Sequence, residues 1–144
     1  MLLNLFFRIG VTRRHVLELT GDAESSDVIF DFMETHGSAW GARREVIQRM
    51  TAALNEFAET AAALELARGN IEVQVSFDEF NLDVDIGYDG RPMEFPTLRP
   101  TDAALVDDAT AVTGLSGFLI RQYADRIKTE TENGRCRVHL HFDH

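Results

Sequence analysis

Two histidines, His139 and His141, alternate near the end of the chain, with His144 beyond them. An H-x-H pair on one strand face can bind zinc when a third ligand, such as Asp143 or a neighbouring carboxylate, completes the set. The same face carries Arg135 and Arg137, whose charge opposes a cation, so the pair reads as an exposed sheet face without a metal. His15 and His36 stand alone. Cys136 alternates with Val138, Leu140 and Phe142, the position of a buried core thiol. It is the only cysteine, which excludes an internal disulfide and a multi-cysteine zinc site and fits a reducing compartment. Ser25, Ser26 and Ser38 fall at cap or loop positions, so no Ser-His-Asp set forms. Glu72, Asp83 and Asp85 occupy strand positions that alternation turns to water. Solvation satisfies them, and a basic partner would also do so.

The elements that must position these groups fit one domain of 144 residues, 44% hydrophobic and 26% charged. A net charge of −10 argues against a surface built to neutralise phosphates, so no nucleic-acid partner is expected. No stretch reaches the roughly 20 apolar residues of a membrane span. Residues 1–12 form an apolar N-terminal segment, Met1-Leu2-Leu3-Asn4-Leu5-Phe6-Phe7 followed by Arg8, ahead of Arg13 and Arg14. The charge follows the apolar part, so this is not a signal peptide. It reads as a first strand or packing arm, or as the end of a membrane helix followed by cytoplasmic arginines.

Residues 13–144 read as a single domain. His15 to Thr20 form a short strand. Val28, Ile29, Phe32 and Met33 lie at helical spacing before Gly37. A long helix from Arg43 to Ala67 carries the stripe Val46, Ile47, Met50, Leu54, Phe57, Ala61 and Leu64, closed by Gly69-Asn70. Two alternating strands follow, with Ile71, Val73, Val75 and Phe77 on one face, then Phe80, Leu82, Val84, Ile86 and Tyr88, turning at Asp78-Glu79. Gly90, Pro92, Pro96 and Pro100 mark an irregular stretch. Gly114 opens a last helix reaching Ile127, and Asn133-Gly134 turns into a final strand. The expected fold is α/β (α+β), a two-layer sandwich with helices on one face of a mostly antiparallel sheet.

Two stretches carry a family resemblance. One is Val46-Ile47-Gln48-Arg49-Met50-Thr51-Ala52-Ala53-Leu54-Asn55-Glu56-Phe57. The other is Gly117-Phe118-Leu119-Ile120-Arg121-Gln122-Tyr123-Ala124-Asp125-Arg126-Ile127, followed by Asn133-Gly134 and a strand. With the element order, they make residues 15 to 142 similar to the GHKL (histidine kinase-like) ATPase superfamily, of the anti-sigma-factor serine kinase type. The resemblance implies an Ala-x-x-Glu-x-x-x-Asn helix whose Glu is the base and whose Asn holds magnesium. Glu56 matches the Glu; Thr60 replaces the Asn. The Asp-x-Gly that reads adenine falls on Tyr88-Asp89-Gly90, so a ring replaces the carboxylate. The Gly-x-Gly-Leu phosphate lid falls on Gly114-Leu115-Ser116-Gly117, where Ser116 replaces the second glycine. A helix N-terminus there would still attract anions.

The chain also looks similar to the cytoplasmic C-terminal domain of bacterial xanthine/uracil permeases, through Leu3-Asn4-Leu5-Phe6-Phe7-Arg8-Ile9-Gly10 and the stretch from Asp78 to Pro100. The resemblance implies a non-catalytic regulatory or interaction domain with a degenerate nucleotide site (Thr60, Tyr88, Gly90, Gly114, Ser116) and Glu56 as a vestigial catalytic carboxylate. No cofactor is expected; ATP with magnesium belongs to the alternative, an active serine kinase. Partners would be a parent transporter domain or another protein, with homodimerisation common in the superfamily, at the cytoplasmic face of a membrane.

Overall fold

The computed structural model describes residues 13–19, 25–37, 40–78, 81–107 and 109–143. The apolar segment 1–12, Thr20, Ser38, the Glu79-Phe80 half of the expected turn, and His144 lie outside the described residues. In chain order the elements are β1 (Arg13–Leu19), α1 (Ser25–Gly37), α2 (Arg44–Ala63), β2 (Ile71–Phe77), β3 (Asn81–Asp89), α3 (Asp102–Asp107), α4 (Ala109–Tyr123), β4 (Arg126–Glu132) and β5 (Arg135–Asp143). The five strands form one sheet in the order β1-β2-β3-β5-β4, and every neighbouring pair is antiparallel.

The two layers follow from alternation. Val73, Val75, Leu82, Val84, Ile86, Tyr88, Val138, Leu140 and Phe142 turn inward and are buried. They meet the apolar stripe of α2, where Val46, Met50, Ala53, Leu54 and Phe57 are fully buried. Such strands read apolar on one face and polar on the other, as expected of an antiparallel sheet covered on one side. The covering layer is α1, α2 and α4, with α2 in the middle, touching both others. His15 and His36, distant in sequence, stack at 4.1 Å beside Trp40 and Phe32, sealing α1 onto β1.

Three local expectations are corrected. The long helix stops at Ala63 rather than Ala67. Glu65 turns into the left-handed region (φ 50°), and Leu66 and Ala67 are drawn onto the end of β3. There the Leu66 carbonyl accepts the Arg91 N–H and the Arg68 N–H reaches the Asp89 carbonyl. Second, Gly114 does not open the last helix, which begins at Ala109 and holds Gly114 in its interior. Third, Ile127 belongs to a strand, β4, and not to that helix. Ile127, Thr129 and Thr131 alternate with Arg126, Lys128, Glu130 and Glu132, but with one strongly apolar member the strand pattern is faint. A charged edge strand of this kind resists pairing with other chains. Asn133-Gly134 does form the two-residue turn to β5, with positive φ at both positions (52° and 78°), as tight hairpins require.

Candidate functional site

The positions tied to nucleotide chemistry gather where α2, α4 and the end of β3 meet. Thr60 and Ser116 project from facing helices, and the Thr60 hydroxyl donates to Ser116 Oγ at 2.7 Å. Ser116 in turn donates to the backbone carbonyl of Glu56 at 3.4 Å. Both hydroxyls are buried, so each satisfies a demand that burial would otherwise leave open. They act as an interhelical button.

Tyr88 is fully buried, and its ring centroid lies 5.7 Å from that of Phe57 on α2. Its hydroxyl donates to the Arg91 carbonyl at 2.7 Å. Burial raises the phenol's pKa above its ordinary 10, and the Cys136 thiol beside it raises it further, so the ring stays neutral and donating. Asp89, one residue on, is on the opposite face, exposed and 3.4 Å from Arg135. The ring therefore occupies the helix side of the strand and the carboxylate the open side.

Backbone contacts close the rest. Gly90 has φ +154°, and a Cβ there would lie 1.8 Å from the Leu66 carbonyl oxygen. Its N–H reaches the Gly134 carbonyl at 2.8 Å. Gly117 allows α4 to touch the strap of residues 91–100: a Cβ would lie 1.7 Å from the Glu94 carbonyl oxygen. Gly114 lies under Pro100, where a Cβ would come within 3.3 Å of the proline ring. Arg121 donates to the Phe95 carbonyl at 2.9 Å, so this cation holds the strap. Since Gly114 and Ser116 are inside a helix, their N–H groups serve helical hydrogen bonds and do not form an anion-binding N-terminus. Glu56 is half-buried on α2.

A second polar assembly lies on the open face of the sheet. The register sets Asp83 opposite His141, Asp85 opposite His139 and Asp89 opposite Arg135. His139 Nδ1 is 2.6 Å from Asp85 Oδ1, and its Nε2 is 3.0 Å from Asp83 Oδ1. His141 Nδ1 is 2.7 Å from that same Asp83 oxygen, and its Nε2 is 2.7 Å from Asp143 Oδ1. Sequence reasoning named both the carboxylates and the histidines but not their pairing. Alternation assigns a face; only the strand register assigns partners. Among the described residues, no group of three or more His, Cys, Asp or Glu side chains is arranged to hold a metal ion.

A third feature is a groove of about 660 Å³ between α1 and α2, lined by Phe30, Met33, Ile47, Thr51 and Asn55 among others. Among the described residues, no helix is long and apolar enough to cross a membrane. In comparisons with known proteins, the chain matches no protein-family model and no curated protein.

Proposed function

We propose that this chain is a non-catalytic regulatory or interaction domain built on a degenerate GHKL-type fold, serving a membrane nucleobase transporter of the xanthine/uracil class from the cytoplasmic side. The observation that carries the first half is the occupancy of the site by the protein itself. Thr60 and Ser116 spend their hydroxyls on each other and on the Glu56 carbonyl. Tyr88 fills the space beside Phe57 and gives its proton to Arg91. A nucleotide would have to displace a buried ring and two satisfied hydroxyls before making any contact of its own, and catalysis demands reacting groups already held in place. The order strand, helix, long helix, hairpin, strap, helix, hairpin supports the fold-level part of this reading.

Calorimetric titration with ATP or ADP and magnesium tests it. No heat of binding is expected at millimolar nucleotide. Micromolar binding that disappears on Glu56→Ala would establish the rival reading, an ATP-binding serine kinase of the anti-sigma type. The transporter half is tested by whether the genomic reading frame upstream of Met1 encodes a run of apolar spans.

A further inference from the structure

The open-face ladder contains a proton count that neutral histidines cannot meet. Each of the four imidazole nitrogens of His139 and His141 faces a carboxylate oxygen within 3.0 Å. An ionised carboxylate only accepts, and a neutral imidazole carries one N–H. Either ring can therefore bond on both sides only as an imidazolium, or if a carboxylate gives it a proton to share. Asp83 cannot step aside for one ring without leaving the other, because a single oxygen serves both.

We propose that the Asp83-bridged pair His139 and His141 is a proton-operated clasp between β3 and β5, closed when His141 is doubly protonated and loosened when it is not. His141 is the ring that matters most, because it is nearly buried while His139 is about one-third exposed. Asp85 and Asp143 are exposed enough to turn to water, whereas Asp83 is three-quarters covered. The charged groups facing the ladder are Arg126 and Lys128 on β4, opposite His141 and His139. On β2, the uncharged Gln74 and Ser76 oppose Asp85 and Asp83. Arg14 on β1 follows beyond Ser76, and Arg137 and Asp143 lie on β5 itself.

The clasp reaches past the sheet. The Asp143 N–H donates to Asp125 Oδ2, and the Asp125 N–H to the His141 carbonyl. Asp125 pairs at 3.7 Å with Arg49 of α2. The corner where the sheet meets the long helix therefore ends on the titrating ring.

The electrostatics agree in sign. Burial pulls the proton affinity of His141 down, but hydrogen bonds to Asp83 and Asp143 and the charge of Asp83 outweigh it, and Arg126 opposes them only in part. The folded-state value is raised above the ordinary 6.5. The stabilisation is thus fully present below pH 6.5 and is lost as pH rises through the raised folded value.

Histidine-resolved NMR titration and urea unfolding between about pH 5.5 and about pH 8.5 test this. His141 is expected to titrate above 6.5, and Asp83→Asn should lower its midpoint. The wild-type urea midpoint should fall with rising pH, and Asp83→Asn should flatten that fall. A His141 midpoint at or below 6.5, or one unmoved by Asp83→Asn, overturns the proposal. Should Asp83→Asn fail to fold, Asp143→Asn removes the other acceptor from an exposed position and must lower the midpoint in the same direction.

Discussion

The two faces of this sheet handle polar groups in opposite ways. On the covered face, the few polar atoms are buried, neutral and mutually satisfied: Thr60 on Ser116, Ser116 on the Glu56 carbonyl, Tyr88 on the Arg91 carbonyl. On the open face, the groups are ionisable and paired across strands: Asp89 with Arg135, Asp85 with His139, Asp83 with His141. Neutral buried bonds contribute a roughly fixed stability, because breaking one strands a desolvated partner. Solvent-facing ion pairs add little, since water screens them and long side chains lose entropy in forming them. They do respond to pH. One face fixes the structure, and the other can report on its surroundings.

Tyr88→Ala should break the contrast most severely. Removing a fully buried ring from beside Phe57 is expected to cost about 3–5 kcal/mol. Urea unfolding measures it; a loss below about 1 kcal/mol would mean that the ring is not what fills the site. Next in size is the helix button. Ser116→Ala should cost about 1–2 kcal/mol, because the Thr60 hydroxyl loses its buried acceptor. Combining it with Thr60→Val should cost clearly less than the sum of the two single changes in a double-mutant cycle, and strict additivity would show that the hydroxyls do not interact. The smallest effect belongs to the open face. Arg135→Ala separates a 3.4 Å pair with Asp89 whose side chains are 41% and 62% exposed, and should shift stability by no more than about 0.5 kcal/mol. A larger loss would show that the guanidinium also packs on β3 above Gly87, where it lies close to the backbone.

Much of this arrangement was legible in the residues. The two-layer α+β architecture, the α2 stripe and the inward turn of Tyr88 all follow from period counting, and the structure carries them. The clustering of Thr60 and Ser116 followed from their places in the resemblance, although their direct hydrogen bond did not. Periodicity failed where two patterns overlapped. Ile127 continues the helical spacing of Leu119, Ile120 and Tyr123, so it hid the start of a strand whose other residues are polar. Gly114 looked like a helix start because glycine lowers helix propensity, yet it sits mid-helix where Pro100 leaves little room. The ladder needed the register of β3 against β5, and register depends on a turn geometry and on packing partners far apart in sequence.

The Gly117 contact carries one last consequence, for history rather than for stability. A helix seated directly on the Glu94 carbonyl admits no side chain at that position, so the strap and helix α4 have become one fitted surface. Restoring a carboxylate at Tyr88, an amide at Thr60 and a glycine at Ser116 would leave that surface intact, with the strap still anchored by Arg121. If the ancestral domain held a nucleotide, point reversions alone would not reopen the path to it, and the change would behave as a ratchet.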